Sequence, residues 1–172
     1  MDTNNLRAKL VKRIAFGHKA RSGKDTSADY LVARLGYTKL SFAGALYRCT
    51  ESMQRILGKP VEKDRCLLQE LGMLVRRHYG ADTWVNIVLA EAQAVDRVVV
   101  SDVRFKNEAD ALRAAGFVLV KIVRENRTAG SDVANAHISE CELDDYPYDV
   151  VIENNGSIEE LYETIDNLVR TL

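Results

Sequence analysis

The chain has 172 residues, 47% of them apolar, which suits one domain (1–172) with a sizeable core and leaves little room for a second. A net charge of -1 argues against a protein whose main task is coating nucleic acid. The polar start Met1-Asp2-Thr3-Asn4-Asn5 lacks the apolar stretch of a signal peptide and no apolar run reaches membrane-spanning length, so no membrane partner is expected and the location reads as cytoplasmic.

In chain order, residues 1–9 read as a frayed tail and Leu10 to Phe16 as the first strand. A turn, Gly17-His18-Lys19-Ala20-Arg21-Ser22-Gly23-Lys24-Asp25-Thr26, leads into a helix with Ala28, Leu31, Val32 and Leu35 at helical spacing, stopped by Gly36. Tyr37 to Ser41 is short and extended. Phe42 to Leu57 carries Leu46, Met53, Ile56 and Leu57 on one face and breaks at Gly58-Lys59-Pro60. Leu67, Leu68, Leu71, Leu74 and Val75 mark a helix from Glu62 to Tyr79, and Asp82 looks like the cap of another through Ala94. Arg97 to Ser101 is a β-branched run suited to a strand buried on both faces, with Asp102 at its C-terminal end. A helix from Phe105 to Ala115 and a buried strand from Phe117 to Val123 follow.

Residues 125–142 are polar with few apolar anchors and read as a mobile connection. Val150-Val151-Ile152 is the last strand, and Ser157 with Glu160 forms a capping box for a terminal helix burying Ile158, Leu161, Ile165 and Leu168. Cys49, Cys66 and Cys141 lack CxxC spacing and read as reduced, mostly buried thiols, and a zinc site is not expected. Strands alternating with helices imply a mostly parallel sheet covered on both faces, with ligands beyond the C-terminal strand ends.

Strand, glycine turn and a helix opening on Gly23-Lys24 are the physical recipe for holding polyphosphate. Successive N–H groups wrap the phosphates, the helix N-terminus presents partial positive charge, and the lysine adds a full one. Gly17 and Gly23 stand six positions apart, one more than usual, and Asp25 takes the place of the usual Ser or Thr. A carboxylate there can still hold Mg²⁺, directly or through water.

Asp102 could order that metal or accept a proton, and Arg104 could clamp a phosphate; the alternative is a helix cap beside a surface arginine. Gln69, Gly72 and Arg76 share a helical surface, where Arg76 and Arg77 either bind phosphate or complement the helix dipole. Trp84 and Phe42 are either core or a base-stacking rim. Arg124, Arg127, His137, Ser139 and Glu140 lie in or beside the 125–142 connection, which suits a closing lid or an ordinary solvated loop. His18 and His78 look incidental.

Together these pieces resemble the bacteriophage deoxynucleoside monophosphate kinases among the P-loop kinases. The resemblance runs through Arg21-Ser22-Gly23-Lys24-Asp25-Thr26, Ser41-Phe42-Ala43, Leu67 to Gly72 with Arg76-Arg77, and Asp82-Thr83-Trp84-Val85. It continues through Ser101-Asp102-Val103-Arg104-Phe105 with Asn107-Glu108, His137-Ile138-Ser139-Glu140, and Leu143 to Ser157. It implies a three-layer α/β P-loop NTPase fold: a mostly parallel five-stranded sheet, helices on both faces and a small lid. It also implies transfer of the ATP γ-phosphoryl group to a deoxynucleoside 5′-monophosphate with Mg²⁺. Arg21, Ser22, Gly23, Lys24, Asp25 and Thr26 would hold ATP and magnesium. Asp102, Arg104 and Glu108 would face the acceptor, with Phe42, Gln69, Arg76 and Trp84 near it, and Arg124 or Arg127 would belong to the lid. Small-molecule nucleotides are the expected partners, and a homodimer is left open. Other small-molecule P-loop kinases, acting on dephospho-coenzyme A or phosphomevalonate, and a non-catalytic nucleotide-binding regulator are the competing readings.

Overall fold

Residues 11–125 and 142–171 are described by a computed structural model. In chain order they form β1 (Arg13–Gly17), α1 (Lys24–Leu35), β2 (Thr38–Leu40), α2 (Phe42–Ile56), α3 (Arg65–Tyr79), α4 (Thr83–Gln93), β3 (Val98–Val103), α5 (Lys106–Ala114), β4 (Val118–Val123), β5 (Val150–Glu153) and α6 (Ile158–Thr171). The five strands make one sheet in the order β2-β3-β1-β4-β5, and every pairing is parallel.

The β-branched runs behave as their composition requires. Side chains alternate between faces, and both faces are covered. Ala15, Val98, Val100 and Leu119 point to one side, where they pack with Phe42, Trp84, Val88 and Leu112 from α2, α4 and α5. Ile14, Phe16, Val99, Val120 and Ile122 point to the other, against Leu31 of α1 and Ile165 of α6. The result is the expected three-layer arrangement. Among the described residues, no helix is long and apolar enough to cross a membrane.

The order of strands positions the site. The chain runs from β1 outward to β2, returns to β3, and then crosses to β4 on the other side of β1. Connections therefore leave β1 and its neighbours in opposite directions, opening a crevice at their C-terminal ends. Gly17, the last residue of β1, is level with Val103 of β3 and Lys121 of β4.

The helix boundaries follow local chemistry. The Asp64 carboxylate accepts from Leu67 N at 3.0 Å, so α3 begins at Arg65, three residues later than its apolar pattern predicts. The capping box of α6 forms as expected: Ser157 N donates to Glu160 Oε2 at 3.0 Å, and Glu160 N donates to Ser157 Oγ at 3.2 Å. Asp82 precedes α4 but makes no side-chain cap; its Oδ1 accepts from Asn107 Nδ2 at 2.9 Å instead.

Two expectations, on the cysteines and on Ile158, require correction. Cys49 and Cys66 are exposed, because each falls on the outer side of its helix; Cys141 lies outside the described residues. No residue of α3 is fully buried despite its leucines, since that helix lies against α2 and α4 at the margin of the sheet. Ile158 is also substantially exposed, at the open first turn of α6.

Candidate active site

The phosphate loop joins the centre of the sheet to α1. Gly23 adopts φ 108°, a left-handed conformation that suits glycine, and α1 starts without any side-chain cap. The N–H groups of that first turn, which point out of the helix start, are what an anion would meet. Lys24 is almost wholly buried, and its Nζ donates to the His18 carbonyl at 2.9 Å and to the Lys19 carbonyl. The loop thus closes on its own lysine. Ser22 Oγ is buried and has no hydrogen-bond partner among the described residues.

Gly17 answers to a different constraint. A Cβ placed there would lie 2.6 Å from the Tyr148 hydroxyl oxygen. The Tyr148 ring is wedged in place, edge-on to Tyr146 at 5.7 Å and with Lys121 Nζ 5.7 Å from its centroid. The glycine is needed for close approach, which frees the six-step spacing from the usual loop template. His18 and Arg21 also adopt positive φ, 88° and 61°. Burial, with the charges of Lys121 and Lys19, pushes the His18 imidazole down to about 4, so it is neutral at pH 7.

Asp25, in the first turn of α1, accepts from Ser101 Oγ at 3.0 Å and lies 2.9 Å from Lys39 Nζ. Lys39 bridges to Asp29 as well, also at 2.9 Å. Desolvation resists ionisation of Asp25, but the Lys39 and Ser101 hydrogen bonds prevail and hold its carboxyl below the usual range. It is therefore a carboxylate suited to a hard cation.

Next to Ser101 on β3, Asp102 turns to another helix. Its two oxygens accept from Phe42 N and Ala43 N, each at 2.9 Å, so it caps α2 from 60 residues away in the sequence. Burial pushes the Asp102 carboxyl above its ordinary range, while those two N–H groups pull back. The cap alternative is thus realised on α2 rather than on the helix that follows Asp102. Phe42 and Trp84 are corrected to core residues, 7% and 5% exposed, with Trp84 Nε1 donating to the Gly72 carbonyl at 3.3 Å. Neither presents a stacking face.

Arg76 and Glu108 meet. Glu108 is buried and pairs with Arg76, while its Oε2 accepts from Arg104 N at 2.8 Å and Phe105 N at 3.1 Å. The Arg76 guanidinium also lies 4.0 Å from the Phe105 ring centre and donates to the Ala81 carbonyl at 3.0 Å. This knot ties α3 to the β3–α5 corner that carries Arg104. Gln69 and Arg77 are exposed on α3, and Arg124 is exposed just beyond β4 at the same edge as the loop. Arg127, His137, Ser139 and Glu140, with nearly all of the expected lid, lie outside the described residues.

Burial pushes Glu108 from 4.5 up to about 7, against the pull of Arg104 N–H and Arg76. Between those values the folded chain holds a proton that the unfolded chain has released, so this group's contribution to stability is complete at low pH and lost as pH rises through about 7. The urea stability of the wild type relative to Glu108→Gln is therefore expected to fall between pH 5 and pH 8. An unchanged difference would show that Glu108 titrates as an ordinary glutamate.

Residues absent from the expected site also converge on the loop. Besides Tyr148 and Lys39, Asp144 lies 3.2 Å from Lys19 Nζ and 3.7 Å from His18 Nε2. Asn154 Nδ2 donates to the Ser22 carbonyl at 2.8 Å. A turn-plus-helix pattern does not reveal such supports, because they arrive from segments distant in the chain.

A phosphate loop leaving the central strand of a parallel sheet defines the class as a P-loop kinase fold. Among solved structures, shikimate kinase from Acinetobacter baumannii matches with a TM-score of 0.53 and 15% identity over 95% of this chain and 96% of that one. The Mycobacterium tuberculosis APS kinase CysC matches with a TM-score of 0.50 and 17% identity over 92% and 97%. These likenesses concern the fold alone. The family model for deoxynucleotide monophosphate kinase matches residues 61–165. A relative from Acanthamoeba polyphaga mimivirus, "Putative deoxynucleotide monophosphate kinase", is 34% identical over 86% of this chain and 91% of its own length. The deoxynucleotide monophosphate kinase of Enterobacteria phage T4 is 32% identical over 63% of this chain and 46% of its own. This chain belongs to the deoxynucleotide monophosphate kinase family.

Proposed function

We propose that the protein transfers the γ-phosphoryl group of ATP to a deoxynucleoside 5′-monophosphate and releases the diphosphate. The observation that carries this reading is the loop itself: Lys24 Nζ held among the loop carbonyls at the end of β1, with the uncapped first turn of α1 behind it. Family membership supplies the acceptor class.

On this reading the loop N–H groups and Lys24 bind the β- and γ-phosphates, and Lys24 exchanges its carbonyl partners for phosphate oxygens. Asp25 and Thr26 would hold Mg²⁺; the ionised state of Asp25 fits that duty, and the metal supplies neutralisation of charge on the transferred group. Arg104, at the end of β3, and Arg124, at the end of β4, flank the loop from either side and suit the acceptor phosphate and the charge in transit. Asp102 fixes the first turn of α2 against the same edge, and Glu108 with Arg76 holds the acceptor wall rigid. A cytoplasmic location, where ATP and deoxynucleoside monophosphates both occur, goes with this reading.

Incubation of the purified protein with ATP, Mg²⁺ and a panel of nucleoside and deoxynucleoside monophosphates tests the proposal. Diphosphate formation from at least one deoxynucleotide is expected; ATP consumption with none of them would overturn it. Within that assay, Asp102→Asn should lower kcat more than it raises either KM, because an amide cannot accept from both Phe42 N and Ala43 N and the start of α2 shifts. A rise in the acceptor KM alone would instead make Asp102 a direct substrate contact.

A further inference from the structure

Asn154 follows β5 and is 6% exposed, although asparagine is a costly residue to bury without partners. Its backbone N–H donates to the Val123 carbonyl at 2.7 Å, which extends the β4–β5 pairing and fixes where its side chain starts. From there Nδ2 reaches the Ser22 carbonyl at 2.8 Å, 132 residues away in sequence. A Cβ on Gly23 would lie 2.5 Å from that Nδ2, so glycine at this position makes room for the amide.

The contact falls on a particular peptide unit. The Ser22–Gly23 peptide is planar and trans, so its C=O and N–H point in opposite directions. Holding the Ser22 carbonyl toward Asn154 turns the Gly23 N–H away from Asn154. Among the described residues nothing accepts a hydrogen bond from that N–H. Without the amide, the buried carbonyl would seek another donor, and at a residue with the conformational freedom of glycine the peptide can flip.

We infer that Asn154 is a positioning residue that latches the Ser22–Gly23 peptide so that the Gly23 N–H serves as a donor to bound polyphosphate. The inference rests on the phosphate-loop reading above. The latch belongs to the donor nucleotide's phosphates alone: among the described residues the hydrogen bonds of Asn154 go to Ser22 and Val123, and none to the β3–α5 corner or α2, where the acceptor is proposed to sit.

The test uses inorganic tripolyphosphate, which has no base or sugar, with ¹⁵N-labelled full-length protein. In the wild type, the Gly23 amide resonance should shift downfield on titration. Asn154→Asp removes the donor while keeping the shape, and should weaken tripolyphosphate and ATP binding at least tenfold, abolish the Gly23 shift, and leave the acceptor KM within twofold. Asn154→Ala deletes the donor without adding charge and should show the same split if the aspartate variant does not fold. Variants that bind tripolyphosphate like the wild type, or that lose ATP and acceptor affinity equally, would overturn the latch. If the wild type binds tripolyphosphate no better than Lys24→Ala does, the phosphate-loop reading fails and the latch with it.

Discussion

Lys24→Ala is expected to reduce phosphoryl transfer by about a hundredfold to a thousandfold, equivalent to roughly 3–4 kcal/mol of lost transition-state stabilisation. The ammonium is already positioned at the loop by its bonds to the His18 and Lys19 carbonyls, so no reorganisation of solvent is needed when charge moves toward the leaving group. The fold should survive, because the residue anchors no core cluster and the carbonyls it leaves can be met by water. Steady-state turnover, with circular dichroism as the folding control, makes the measurement. Near-normal turnover would remove the loop from the reaction.

Arg76→Ala is expected to act on stability instead. It strips the charge partner from a carboxylate that is 2% exposed. A Glu108 that titrates at about 7 then takes up a proton instead of staying charged, so the loss at pH 8 is held to roughly 2 kcal/mol once the hydrogen bond to the Ala81 carbonyl is counted. The cost should be smaller at pH 5 than at pH 8, since a protonated Glu108 no longer needs the guanidinium. Denaturant unfolding at the two pH values gives both numbers. A loss below about 1 kcal/mol at pH 8 would mark the pair as no more than a solvent-screened contact. The double variant Arg76→Leu with Glu108→Gln should recover much of the loss, because it leaves no charge behind and keeps a side-chain oxygen to accept from Arg104 N and Phe105 N.

The parts of the site differ in how openly the sequence declares them. The phosphate loop was legible because its chemistry is local: strand, glycine turn, lysine and helix occupy adjacent positions, and each residue type is demanded by the backbone around it. The three-layer sheet was legible for a similar reason, since β-branched runs such as Val98-Val99-Val100 admit few other uses. Asp102 drew notice at its strand end, yet its partners Phe42 N and Ala43 N are backbone groups that leave no mark in composition. Arg76 and Glu108 were each singled out for substrate, and their mutual pairing became visible only with α3 laid against α5's leading corner. Trp84 illustrates the limit from the other side. One tryptophan beside a helix start fits a cleft rim and a core equally well, and only the position of α4 against the sheet decides.

Beneath the loop, the contact between Gly17 and Tyr148 has an evolutionary consequence. The space above the tyrosine hydroxyl is too small for a methyl group, so drift at position 17 is disfavoured as long as position 148 keeps its ring in place. A lineage that lengthens residue 17 first must displace the Tyr148 ring, so shrinking residue 148 is the easier first step. Among divergent relatives, the two positions should therefore change together, tracing a historical order of substitution across 130 residues of intervening chain.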